Sequence, residues 1–94
     1  MAKSESIIQR EIIKHLEDEG WYVLKLIQTN KNGIPDLMAI RQGITIFVEV
    51  KRAGAKARPL QEYRMKEINL KGVNSFVAHS VEEIKIEISQ EQQI

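Results

Sequence analysis

The feature that most constrains this chain is a pair of apolar runs, Asp36 to Arg41 and Ile44 to Lys51, parted only by Gln42 and Gly43. A two-residue connection with glycine in second place predicts a tight β-hairpin, although Asn-Gly would be a stronger signal. The next elements extend it. Ala53 to Ala57 is a basic loop of small residues, Pro59 is placed to open a helix and Gly72 to end it, and Ser75 to His79 reads as a short buried strand. A hairpin followed by a helical crossover implies a mixed sheet flanked by helices.

The remaining segments complete an α/β fold in the order α-β-β-β-α-β-α. Ser6 with Gln9 resembles a capping box at the start of a helix from about Ser6 to Glu19. Ile7, Ile8, Ile12 and Leu16 fall on one side of it, and Gly20 suits its C-terminal end. Trp21 to Ile27 is rich in aromatic and β-branched residues and predicts a strand, with Thr29 to Gly33 a loop. Ser80 with Glu83 is a second capping box opening a last helix from about Val81, and Ser89 to Ile94 is expected to be a frayed polar tail.

Composition narrows the function classes. Ninety-four residues suit a single domain with one modest core. Cysteine is absent and there are only two His, which leaves no disulfide framework, no cysteine nucleophile and no basis for a structural zinc site. A formal charge of +1 does not announce a nucleic-acid binder. No apolar run approaches the roughly 20 residues of a membrane span, and Met1 to Glu5 lacks a secretory h-region. The expected compartment is the cytoplasm, of a cell or of an infected host.

The chemistry gathers on the hairpin. If Gln42 and Gly43 form the turn, Arg41 pairs with Ile44, and counting outward sets Asp36 opposite Glu49. Opposed residues share a face with Cβ atoms about 4.5–5.5 Å apart, and the period of two puts Lys51 on that face as well. Ile46, Val48 and Val50 then point into the core. A bulge in either strand would shift this register by one. Two facing carboxylates repel unless something positive lies between them, and a divalent cation such as Mg²⁺, with oxygen ligands, is the economical answer. The Val50 carbonyl could add another oxygen. Lys51 could orient an attacking water or neutralise charge on phosphate. An arbitrary Glu-x-Lys is usually a solvated ion pair; the hairpin spacing and Gly33-Ile34-Pro35-Asp36 favour a site here.

On the helical wheel Glu11 falls between Ile7 and Ile8, within the apolar stripe, which marks it as an additional metal-site carboxylate or a group that fixes a ligand. A stripe-edge Glu reaching solvent is the bland alternative. His15, one turn on, reads as a packed core-edge residue. Arg52, Lys56, Arg58 and Arg64 follow Lys51 closely, and with Lys31 they form the expected phosphate-contacting set.

Pro35-Asp36 and Glu49-Val50-Lys51 resemble the PD-(D/E)XK nuclease signature. The finer resemblance is to the VRR-NUC (virus-type replication-repair nuclease) family: Gly33-Ile34-Pro35-Asp36, then Phe47 to Lys51, Gly54, Pro59-Leu60-Gln61, and Gly72-Val73 through Val77-Ala78-His79-Ser80. It extends from the Glu11 helix to about Ile84. This resemblance implies a restriction-endonuclease-like fold and Mg²⁺- or Mn²⁺-dependent hydrolysis of phosphodiester bonds in DNA. It implies metal ligation by Asp36 and Glu49, a catalytic Lys51, and supporting roles for Glu11 and Gln61. One departure is Arg58, where a small hydroxyl residue is usual before the proline. Stand-alone members of this size resemble phage proteins, and cleavage of four-way junctions by a homodimer follows by analogy, with no organic cofactor and no membrane. A non-catalytic nucleic-acid-binding module of the same fold, and a nuclease acting mainly on RNA or free ends, are the alternatives.

Overall fold

The computed structural model describes residues 2–91. Its centre is the hairpin of β2 (Leu37–Arg41) and β3 (Ile44–Val50), whose register runs from Arg41 opposite Ile44 to Leu37 opposite Val48. Gln42 and Gly43 have φ of 51° and 80°. Positive φ at both central residues is the type I′ geometry, whose twist matches that of the flanking strands. No bulge shifts the count along these paired residues.

β1 (Tyr22–Lys25) pairs antiparallel with β2, and β4 (Asn74–Ala78) pairs parallel with β3, giving one sheet of order β1-β2-β3-β4. The parallel pairing is made possible by the crossover helix α2 (Pro59–Leu70), which lies against β4. β1 is shorter than the expected Trp21 to Ile27. Trp21 is instead a buried core residue ahead of the strand, and beyond Lys25 the Leu26 N–H donates to the Asp36 carbonyl at 2.8 Å.

α1 (Glu5–Asp18) and α3 (Val81–Glu91) pack against each other and against the sheet. Alternation supplies the core: Leu37, Ala39, Ile46, Val48, Val50, Phe76 and Ala78 are buried on one face and meet Ile8, Ile12 and Leu16 of α1 and Ile84 of α3. The cap of α1 corrects the expected boundary. Ser4, not Ser6, is the N-cap, and its hydroxyl accepts from the Ile7 N–H at 3.3 Å. The helix therefore starts earlier than Ser6 and includes Glu5. Ser80 does cap α3, accepting from the Glu83 N–H at 3.2 Å, but the Glu83 carboxylate reaches back to the His79 N–H rather than to Ser80. The expected frayed tail is helical through Glu91, and its last part, 92–94, lies outside the described residues. Among the described residues no helix is long and apolar enough to cross a membrane.

Candidate active site

The hairpin register, carried one rung past Leu37 and Val48, sets Asp36 across from Glu49. Asp36 lies just outside β2, and its side chain takes over a backbone role there: Oδ2 accepts the Val50 N–H at 2.8 Å. Glu49 points away from Val48 and Val50, yet it is only 2% exposed. Its Oε2 lies 3.5 Å from Lys51 Nζ, and that ion pair is itself largely buried. The other oxygen, Oε1, is buried with no hydrogen-bond partner. The Lys51 N–H is fixed by the Ala78 carbonyl at 3.1 Å, so the edge of β4 holds the residue after β3 in line.

These surroundings set the charge states. Burial, then the negative charge of Asp36, push the Glu49 carboxyl up to about 7, against the pull of Lys51. Asp36 is likewise raised by burial, with the Val50 N–H and Lys51 opposing. Both feel a third negative charge, from Glu5. A buried carboxylate, Glu49, and a half-buried one, Asp36, that cannot both ionise at low cost form a place suited to a cation.

Glu5, an exposed residue in the first turn of α1, is a charge near these carboxylates that sequence reasoning did not bring to them. The buried residues of α1 are Ile8, Ile12 and Leu16, while Ile7 is 40% exposed. Without Ile7 the stripe turns: at about 100° per residue, Glu5 lies about 20° from its centre and Glu11 about 100° away. Glu11 is engaged elsewhere in the structure. Its carboxylate is held by Lys3 Nζ at 2.8 and 3.0 Å, in a partly exposed ion pair outside the Asp36–Glu49 pair. His15 lies half-buried at the edge of α1.

The other expected residues separate by role. Gln61 closes the start of α2, its Oε1 accepting from the Arg58 N–H at 2.8 Å. Arg58 has no side-chain acceptor with which to return a capping bond. Arg64, expected on phosphate, donates through Nε to the Asn32 carbonyl at 2.9 Å and through Nη1 to Glu67 at 2.9 Å, tying the loop ahead of Asp36 to α2. Arg52, Lys56, Arg58 and Lys31 are exposed.

A family model for the VRR-NUC domain matches residues 1–82. The chain belongs to the VRR-NUC family. It is similar to a solved structure described as a VRR_NUC domain, at 30% identity and a TM-score of 0.80, covering 90% of this chain and 94% of the other. A second, described as a VRR_NUC domain protein, has the same fold at 19% identity and a TM-score of 0.77, covering 96% and 88%. No curated protein sequence matches the chain. Membership implies a nuclease domain with DNA as its substrate, and the VRR-NUC family generally uses divalent metal ions. The residues present fit such an ion: Glu49 Oε1 is a buried oxygen without a partner, beside a second carboxylate. Among the described residues no group of three His, Cys, Asp or Glu stands at ligating distance, so the protein would offer few donors. Magnesium-like ions commonly take one or two carboxylates and leave the rest to water and phosphate.

Proposed function

We propose that this VRR-NUC domain is an Mg²⁺- or Mn²⁺-dependent deoxyribonuclease in which Asp36 and Glu49 hold the ion and Lys51 serves the reaction. The observation that carries the reading is the buried, unpartnered Glu49 oxygen, set beside Asp36 and Lys51 where two carboxyls are raised towards neutrality. Bound there, a divalent ion supplies Lewis acidity and a bound water of lowered pKa.

The chain's own groups supply the rest. Glu49 and Asp36 must both be ionised to bind, so the proton that burial retains on Glu49 has to leave first. Asp36 is held in place by the Val50 N–H, which leaves its second oxygen for the site. Lys51, one period of the strand from Glu49, presents an ammonium to the same space and opposes negative charge gathering on a phosphoryl oxygen. The Val50 carbonyl is the remaining candidate donor, and Glu5 adds negative charge from the first turn of α1. Arg52, Lys56 and Arg58 on the following loop, and Lys31, lie exposed for the phosphate backbone. We further propose preference for branched DNA, cut by a homodimer whose two-fold axis relates two such sites.

A cleavage panel of single-stranded, duplex, flap and four-way-junction DNA, with Mg²⁺, Mn²⁺ or chelator, tests this. Cleavage is expected only with metal. Asp36→Ala and Lys51→Ala should each lower it on the order of 10²–10³-fold. Glu5→Ala should raise the metal concentration required, while Glu11→Ala should not. Cleavage in chelator, or full activity in Asp36→Ala, would refute the mechanism. Equal cutting of junction and linear duplex, or a monomer in sedimentation at working concentration, would remove the branched-DNA and dimer parts.

A further inference from the structure

The loop between Lys51 and Pro59 carries the cations Arg52, Lys56 and Arg58, and it is held sparingly. Its start is pinned by the Lys51 N–H on Ala78, and its end by the Arg58 N–H on Gln61. Within it the Ala55 N–H closes a turn onto the Arg52 carbonyl at 3.0 Å. Among the described residues, one hydrogen bond joins the interior of this loop to the body of the fold: His79 Nε2 to the Ala55 carbonyl, at 2.8 Å. The same ring's Nδ1 faces Glu83 Oε1 at 3.0 Å, and that oxygen also accepts the His79 N–H at 3.0 Å.

A carbonyl and an ionised carboxylate can only accept. A neutral imidazole has one N–H, so with both ring nitrogens against acceptors one lone pair must face an oxygen. The doubly protonated ring satisfies both sides. We propose that the His79 imidazolium is a positioning clasp, bridging Glu83 of α3 to Ala55 and thereby holding the basic loop where its cations meet DNA. The DNA part of this rests on the nuclease reading above; the clasp itself does not.

The charges facing the ring favour its protonated form. Across the groove towards α1, Lys3 pairs with Glu11 and Lys14 with Asp18, both at 2.8 Å, leaving His15. On the other sides stand Glu82 and Glu83 of α3, Glu62 of α2 and Lys56 of the loop, an acidic excess. The bond to Ala55, then that to Glu83, raise the His79 pKa above its ordinary value against a smaller effect of burial. A raised histidine pKa means the contribution is complete below the ordinary value of 6.5 and is lost as pH rises through the folded value.

The test uses the full chain in metal-free buffer with chelator, so that no cleavage intervenes. Backbone ¹⁵N relaxation over 52–57 and affinity for duplex DNA are measured at pH 6 and pH 9. The proteins are wild type, His79→Gln, His79→Phe and His79→Lys. In wild type the loop should be ordered at pH 6 and loosened at pH 9, and DNA affinity should fall about fivefold more than in His79→Phe, the loss of one hydrogen bond. His79→Gln, an uncharged donor, should show no such pH step. His79→Lys keeps a charge but cannot bridge two acceptors, so its loop should be loose at both pH values. A wild-type loop equally ordered at both pH values overturns the clasp. Wild-type affinity in His79→Lys at pH 6 does so too, because charge alone would then suffice. Should no variant bind DNA, the nuclease reading fails while the relaxation data still decide the clasp. If His79→Phe does not fold, the wild-type titration and His79→Gln carry the test.

Discussion

The behaviour of Glu49 has a measurable consequence for the stability of the metal-free protein. An acid whose folded pKa is raised binds more protons folded than unfolded, so stability falls as pH climbs from its ordinary value, 4.5, through about 7. Asp36, raised in the same sense, adds to the trend. Urea unfolding of the apo protein at pH 5.5 and pH 8 should show this loss. Glu49→Gln keeps the shape without the charge and should be the more stable protein at pH 8, by about 2 kcal/mol. It should also bind metal poorly. A wild-type protein as stable at pH 8 as at pH 5.5 would contradict the assignment of Glu49 as a buried, reluctant carboxylate. At this scale the sequence was legible where a strict period ruled. The count from Gln42-Gly43 located Asp36, Glu49 and Lys51 because the side-chain period of a strand is two and the turn leaves no slack. Glu5 is not legible, because Ile7 fits the apolar stripe by sequence and Ser6 fits the cap, which tilts the wheel towards Glu11. His79 is visible in the sequence as the end of a strand, but its bridging contact is not. Its ring bonds Glu83 on one side and the backbone carbonyl of Ala55 on the other, and no side-chain pattern marks a carbonyl.

Among the elements, the join between the loop before Asp36 and α2 shows how a helix positions the loop that leads into the candidate site. Gly33 has φ of +79°, and a Cβ there would come within 2.7 Å of Leu60 Cγ in the first turn of α2. Arg64, one turn along, holds the Asn32 carbonyl. Gly33→Ala meets both a disfavoured backbone and a side chain that must move, and should cost about 1–3 kcal/mol in denaturant unfolding. Unchanged stability would mean the loop stands free of α2. The capping boxes show the limits of reading ends from sequence. Ser80 with Glu83 does mark the start of α3, yet the carboxylate bonds one residue further back, to His79. The basic residues after Lys51 looked alike in sequence. The fold divides them into exposed cations and one arginine occupied with its own chain.

As a whole, the molecule measures 36 × 29 × 22 Å with a radius of gyration of 12.6 Å, as expected of one small domain of this length. Its longest dimension spans about ten base pairs of duplex at 3.4 Å per step. Metal binding should therefore register on global stability, since one core and one sheet leave little that can melt separately. At a metal concentration about 100-fold above Kd, mass action contributes about 2.7 kcal/mol. For a domain of this size that is a rise in Tm of roughly 10 °C or more. Thermal melts with Mg²⁺ or Mn²⁺ against chelator should show the rise in wild type and not in Asp36→Ala; equal shifts in both would place the ion elsewhere. One bond within this small domain has an implication for how its chemistry could ever be retired. The carboxylate of Asp36 accepts the Val50 N–H that would otherwise be left over where the hairpin opens. On the proposed mechanism, a descendant that gave up cutting by losing this aspartate would also unfasten the mouth of its own hairpin, and would have to find another oxygen before it could safely become inert.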